Sequence, residues 1–398
     1  MYIRNKAIVL ERQGWVLFVM CGRDDNVAIS ELKSISHRIP EINFNPFLFP
    51  LKKRERLIKE FKNVILPDNN DEIVIESTCL SESLWGEMFA REIKAKHFIY
   101  LLQEDNIIES KLYFDFLSFK LSRHELAAID QMSLYKMFYP WSQISIDESK
   151  RASLPACCTN VVEDISSPFE AKIDSAKFDY RIGVLTRLDK PFLIPTIKKI
   201  VDFANNNKEN SFILLVIGGS PIMNKINKII RSLKEKTHNL DICITGYMYP
   251  VSRSLINKCD VFVSSAGSAY VTYKEGIPTI SIDGKDYEPI GVMGYTTNNC
   301  LFRENEPIVL LDELLKEVLF DKKYIKTHSV SISGPTIEQI IDEHNKFIKE
   351  SDLKVQFFSF PDEYKCSSNE KPLKFGLTLL GCRGYQKLSH IKNSLFIK

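Results

Sequence analysis

The sequence predicts an α/β protein of two doubly wound, Rossmann-like domains. Three observations point there. Short β-branched runs alternate with amphipathic stretches along most of the 398 residues, the pattern of parallel strands joined by helices. That alternation occurs twice, cleanly in the second half and less regularly in the first. Between the halves, residues 147–179 hold clusters of Ser, Pro and Cys without periodicity, as an interdomain linker does.

The second half is read element by element. RIGVLT (181–186) is a buried strand, and 192–205 a helix with Ile194, Ile197, Ile200, Val201 and Ala204 on one face. SFILLVIGG (211–219) is a strand ending in a glycine turn. Residues 222–236 form a helix with Ile226, Ile229, Ile230 and Leu233 inward. DICITG (241–246) is a strand, 251–257 a short helix, DVFVSS (260–265) a strand, 268–275 a short helix and PTISID (278–283) a fifth strand. Gly276 stands where a helix end favours a left-handed residue. Helices at 310–319 and 336–350 close the unit. In the first half, 5–13 reads as a helix, 15–22 as a strand, 72–77 as a strand, 80–93 as a helix and 97–102 as a strand. This domain is expected to lack an opening strand and glycine-rich loop ahead of its first helix, being either trimmed there or begun further upstream. The expected domains are 1–165, 166–352 and a tail, 353–398.

Composition narrows the function classes. With 53 basic and 51 acidic residues the net charge is +2, so no overall field draws nucleic acid. No apolar run approaches the ~18 residues of a membrane span, and the first fifteen residues hold no signal core. Nine scattered cysteines without zinc-like spacing are expected to be reduced thiols, so the expected location is cytoplasmic. Residues 371–398 carry six Lys or Arg and no Asp or Glu, interleaved with apolar residues. This tail reads either as a helix packed back on the first domain or as a basic amphipathic helix touching anionic lipid at the inner face of a membrane. There is no P-loop, paired-His zinc motif, nucleophile elbow or dinucleotide fingerprint, and no convincing Asp-X-Asp metal site.

In a doubly wound sheet, ligands sit beyond the carboxyl ends of the strands, so the residues after each strand are the candidates. Arg187 and Lys190 follow the first strand, and two such cations suit a diphosphate. Gly218 and Gly219 follow the second, Gly246 ends the third, and Ser265, Gly267 and Ser268 open a helix after the fourth, leaving backbone N–H groups for an anion. After the fifth comes a long loop with Tyr295, Thr296 and Thr297, whose polar groups suit a sugar or ribose. In the first half the carboxylates near strand ends are Glu76, Glu82, Glu104 and Asp105; His97 starts a strand and reads as structural.

The ordered set RIGVLTRLDK, LLVIGGSP, ITGY and CDVFVSSAGSAYVTYKEGIPTISID resembles the nucleotide-sugar domain of GT-B glycosyltransferases, and GYTTNN resembles loops of the bacterial surface-polysaccharide type. The resemblance implies two Rossmann-like domains facing across a cleft. It implies that Arg187 and Lys190 contact the donor diphosphate, with Gly246 ahead of the loop around the donor base. It implies metal-independent sugar transfer, without cofactor, from a nucleotide-diphosphate sugar to a glycan or lipid-linked glycan. Two features depart from it. Many retaining members carry two glutamates eight apart, and the corresponding places here, near Val263 and Val271, are apolar. The glycine loop of the first domain is also missing. Two alternatives therefore stand beside the transferase: a non-catalytic GT-B relative that binds nucleotide or glycan as a scaffold, and a nucleotide-sugar 2-epimerase.

Overall fold

The computed structural model describes residues 1–22, 29–65, 72–103, 106–142, 144–158, 160–175, 178–220, 223–325, 335–351 and 355–396. The chain divides into two compact units. One comprises Tyr2–Cys157 and Pro335–Lys398, the other Cys158–Gly334 with Met1.

In the first unit, helix Tyr2–Arg12 is followed by two three-residue strands, β1 (Val19–Cys21) and β2 (Ser36–Arg38), which pair in parallel as a separate ribbon. The main sheet is β3 (Val74–Ser77), β4 (Lys96–Leu101) and β5 (Leu126–Ala128), all parallel. Helix Leu80–Ile93 makes the crossover from β3 to β4. It buries Leu84, Trp85, Phe89 and Ala90, each of the larger ones worth about 1.5–3 kcal/mol on leaving water. The strand expected over 15–22 shrinks to β1: Val16 is 77% and Phe18 45% exposed, so that run gains little burial to hold it extended.

Helix Ile337–Glu350, expected to close the second domain, belongs to the first unit. Its buried face explains why. His344 meets the ring of Tyr100 edge-on at 4.5 Å, and Phe347 packs 5.6 Å from Phe98, on the sheet strand β4. The tail joins the same unit. Phe358 and Phe360 pack on Phe116, and helix Glu370–Phe396 buries Leu377 and Cys382 in a cluster with Trp85 and Phe89. Gly381, at φ 66°, breaks that helix within its length.

The second unit holds a short parallel pair, β6 (Val162–Glu163) with β10 (Val251–Ser252), and a six-stranded sheet. The sheet strands are β7 (Tyr180–Leu185), β8 (Phe212–Ile217), β9 (Leu240–Ile244), β11 (Val261–Ser264), β12 (Thr279–Ile282) and β13 (Pro289–Val292). Their order is β13-β12-β11-β7-β8-β9, all parallel except β13. The five parallel strands are those expected from sequence. All of β8 is buried, with Phe212, Leu214 and Val216 in one core and Ile213, Leu215 and Ile217 in the other. That two-residue alternation between two apolar layers is why the strand reads as a continuous apolar run. β13 lies where a loop was expected. Its four residues are buried and run antiparallel to β12, an edge pairing that Pro289, Gly291 and the polar flanks conceal.

Candidate functional site

The strand order fixes where a ligand is received. From β7 the chain runs outward through β8 to β9, then returns to the other side of β7 at β11. The order therefore reverses between β7 and β11, and the crevice past their carboxyl ends is the topological switch point.

Three strand ends are welded together beside it. Thr186 N–H donates to Ile217 O at 3.0 Å and Leu188 N–H to Gly219 O at 3.2 Å. Gly218 sits at φ +151°, where a Cβ would fall 1.7 Å from Thr186 O, so glycine is required. Its N–H donates to Thr245 Oγ1 at 3.2 Å, and it bridges to Gly246, itself at φ 78°. At Gly219 a Cβ would lie 2.6 Å from the Tyr247 ring. Arg187, Gly218, Gly219 and Gly246 are thus brought together. Arg187 is 65% exposed and forks onto Asp189, Nε to Oδ1 and Nη2 to Oδ2, both 3.2 Å. An exposed pair of this kind is worth about 0–1 kcal/mol, little resistance to an incoming phosphate. Lys190 closes the same turn, its N–H donating to Arg187 O at 3.2 Å, and its side chain is exposed.

Tyr247 is the residue that sequence reading passed over. It is 55% exposed, lies against Gly219, and has its pKa raised by partial burial and by the Asp189 carboxylate. Its position after Gly246 in ITGY was the available signal.

Across the switch point, helix Ala266–Lys274 begins at β11. Ser265 is its N-cap, but its hydroxyl donates to Ile282 O at 2.8 Å instead of capping the helix. The positive φ of Ala266, 51°, belongs to this tight start, where Ala266 N–H donates to Cys300 O at 2.6 Å. Gly267 is exposed with open space where a Cβ would stand, and Ser268 is half-buried. The first-turn N–H groups receive no side-chain cap from Ser265 and form a positive dipole end.

The structure sets Tyr295, Thr296 and Thr297 elsewhere. β13 runs antiparallel to β12, so the turn after it lies by the amino end of β12, away from Arg187 and Ser265. Their hydroxyls serve the turn itself. Thr296 Oγ1 accepts from Val292 N–H at 2.8 Å, Tyr295 donates to Ile325 O at 3.0 Å, and Thr297 donates to Glu306 at 2.5 Å. Glu306 also accepts from Asn299 and the Glu304 N–H; the Thr297 hydroxyl is the chief cause of a pKa lowered to about 2.

The first unit's carboxylates separate by environment. Glu76 is committed to Lys6 and to the Tyr2 hydroxyl, which donates at 2.7 Å. Glu82, near the start of helix Leu80–Ile93, is half-buried, and that burial raises its pKa to about 7. Glu104 and Asp105 lie outside the described residues. His97 is structural: Nδ1–H donates to Glu87 at 2.7 Å and Nε2 accepts from Ser77 Oγ at 3.0 Å.

Solved structures share this architecture. A glycosyltransferase from Rickettsia africae aligns with a TM-score of 0.50 and 14% identity, covering 87% of this chain and 89% of its own. The chain has the GT-B fold. Two further GT-B-like alignments are weaker and add nothing to that assignment. They are the sucrose-phosphate synthase of Thermosynechococcus elongatus (TM-score 0.48, 13% identity, 98% and 93% coverage) and Anabaena HepE with UDP and glucose (0.48, 11%, 87% and 90%). No family model and no curated protein matches the sequence. Within the GT-B frame the switch point described above belongs to the second of the two Rossmann-like units, the unit whose sequence resembles a nucleotide-sugar domain.

Proposed function

We propose that the chain is a metal-independent glycosyltransferase that takes a nucleotide-diphosphate sugar at the β7/β11 switch point and passes the sugar to a glycan or lipid-linked glycan. The observation that supports this reading is that an exposed Arg187 and a glycine-welded floor stand at the carboxyl end of β7, while an uncapped helix start stands at the carboxyl end of its sheet neighbour β11. The leaving group is a nucleoside diphosphate. Arg187, Lys190 and the N–H groups of Gly267 and Ser268 supply fixed positive potential for the charge that develops as the sugar–phosphate bond breaks, so no cofactor is needed. Tyr247 offers a ring face for the base. Should transfer invert the anomeric centre, a general base is required, and it works best with a pKa near the working pH; of the first unit's carboxylates named above, Glu82 is the one raised to about 7.

The place of action we propose is the cytoplasmic face of a membrane, in surface-polysaccharide assembly. No described helix is long and apolar enough to cross a membrane. The tail helix exposes Phe375, Leu379 and Leu388 beside Lys371, Lys374 and Lys387, which suits peripheral contact with anionic lipid. Reversing those three lysines to Glu is expected to reduce flotation with anionic vesicles; equal flotation overturns the tail's role.

One observation favours the scaffold reading. The places where many retaining members carry glutamates are apolar and buried, Val263 at 0% and Val271 at 3% exposure. Thermal unfolding against UDP, GDP, ADP, CMP and their sugars, with Arg187→Ala beside the parent, decides whether the crevice binds nucleotide at all. A ligand at 100 times its Kd adds about 2.7 kcal/mol, a shift of several degrees. A shift from one nucleotide that Arg187→Ala abolishes supports the donor site. No shift from any of them removes it, and a shift without acceptor-dependent product favours the scaffold.

A further inference from the structure

The segment after β13 returns to the crevice. From the turn of residues 294–297 the chain runs back to the carboxyl ends of β11 and β12, where residues 299–303 are bonded to both. Ser281 Oγ of β12 donates to Asn299 O at 3.0 Å. Ala266 N–H, at the start of helix Ala266–Lys274, donates to Cys300 O at 2.6 Å, and Gly284 N–H donates to Leu301 O at 2.8 Å. Asp283, 5% exposed, closes the arrangement: its carboxylate accepts from Arg303 N–H and from Lys285 N–H, both at 2.7 Å. The segment is thus pinned to the strand ends largely through its main chain.

Phe302 is the side chain this segment presents. It is 55% exposed, although Leu301 and Arg303 on either side are half-buried. A Cβ on Gly284 would lie 3.3 Å from Phe302 Cε1, so the ring rests against the main chain that follows β12. That contact removes less than half of the side chain from water, so burial alone is a weak reason for an aromatic residue here. The ring has no polar handle. What it offers is a π face, negative at its centre. The surface that matches such a face is a patch of polarised C–H bonds, which a pyranose ring presents between its hydroxyls.

The strand order says what reaches it. Along the carboxyl ends the sheet runs β9, β8, β7, β11, β12, four intervals of about 4.8 Å, or roughly 19 Å in all. Tyr247 stands at the β9 end against Gly219, Arg187 at β7, the helix start at β11 and Phe302 at the β12 end. A nucleotide-diphosphate sugar carries its base and its sugar at opposite ends of the diphosphate. A base at Tyr247 with the diphosphate between β7 and β11 therefore sends the sugar toward β12. We propose that Phe302 is a specificity-determining residue of this crevice: its ring takes the C–H face of the transferred pyranose, so it reads the sugar and not the nucleotide. This inference rests on the donor-site reading above and adds to it the direction in which the donor lies.

The test is calorimetric titration of the 398-residue chain and of its Phe302→Ala and Phe302→Tyr variants. The probes are UDP, GDP and ADP beside UDP-glucose, UDP-N-acetylglucosamine, GDP-mannose and ADP-glucose. Phe302→Ala is expected to weaken binding of the best nucleotide sugar about fivefold, the worth of one ring face, while its free nucleotide binds within about twofold of the parent. Phe302→Tyr keeps the ring and is expected to restore the parent's affinity. Both variants should melt within about two degrees of the parent, since the site is largely exposed, so a lost affinity does not come from unfolding. Three results overturn the proposal while the donor site stands: equal loss for the nucleotide and its sugar, no loss for either, or a loss that Phe302→Tyr leaves in place. Nucleotide binding by the parent with no sugar conjugate bound does the same. A parent chain that binds no nucleotide removes the donor site and this proposal together, so the parent's own titration tells the two failures apart.

Discussion

Lys120→Met tests the charge balance inside the first unit. The Lys120 ammonium is 1% exposed and lies 2.6 Å from Glu87 and 2.9 Å from Glu125, whose side chains are 0% and 4% exposed. Arg123 also pairs with Glu125 at 3.2 Å, and Glu87 accepts from His97 and from the Phe358 N–H. Two carboxylates are thus balanced by two cations, with His97 neutral: burial, then the Lys120 charge, lowers its pKa to about 4. Removing one cation from a buried network costs about 3–5 kcal/mol. The pH dependence makes the prediction sharper. In the parent, His97 binds a proton less readily folded than unfolded, so stability falls as pH drops from 6.5 toward 4. In Lys120→Met the repelling cation is gone and Glu87 remains, so His97 is expected to protonate and replace it. Stability of the variant should then rise from pH 8 to pH 6 by more than the parent's, whose own rise in that window comes from Glu82. Urea unfolding followed by tryptophan fluorescence reads this directly, because Trp15, Trp85 and Trp141 all belong to this unit. A loss under ~1 kcal/mol at pH 8, or parallel pH profiles, refutes the reasoning.

Three further outcomes are expected. Burial holds the Glu82 carboxyl at about 7 against an ordinary 4.5, so ionising it drains stability as pH rises through that window. Glu82→Gln should therefore match the parent at pH 5 and exceed it by about 1–3 kcal/mol at pH 8 in urea melts; the same difference at both pH values contradicts this. Leu377→Ala, at a site 4% exposed, should cost about 2–5 kcal/mol in the tryptophan-reported transition; a neutral result would remove the tail from this core. Tyr247→Ala should weaken nucleotide binding about tenfold by titration, the loss of a ring face worth ~1.4 kcal/mol, while leaving the melt of the free protein within about 1 kcal/mol of the parent; unchanged affinity places the base elsewhere.

What the sequence disclosed follows from where burial is periodic. The second unit's strands are buried on both faces, so their apolar runs are unbroken and their order was readable. Gly218 was readable because backbone approach leaves no room for a side chain there, and Gly246 because its φ of 78° favours glycine. Tyr295, Thr296 and Thr297 misled, because a turn that satisfies its own backbone uses the same hydroxyls that would greet a sugar. β13 was hidden for a related reason: Pro289 and Gly291 read as loop residues, yet an edge strand tolerates both. The assignment of helix Ile337–Glu350 to the first unit was illegible locally, since its apolar stripe fits any apolar surface and only Phe98 and Tyr100, more than two hundred residues earlier, claim it.

That return of the chain has a consequence during synthesis. The Cys158–Gly334 unit is continuous and can close as soon as it leaves the ribosome, whereas Tyr2–Cys157 needs Pro335–Lys398 to cover Phe98, Phe116 and Trp85. At ~5–20 residues per second the wait is roughly ten seconds to most of a minute. Through that interval the nascent first half displays an unfinished sheet, so it is the half that nascent-chain chaperones should hold, and the half that aggregates when translation stalls before residue 335.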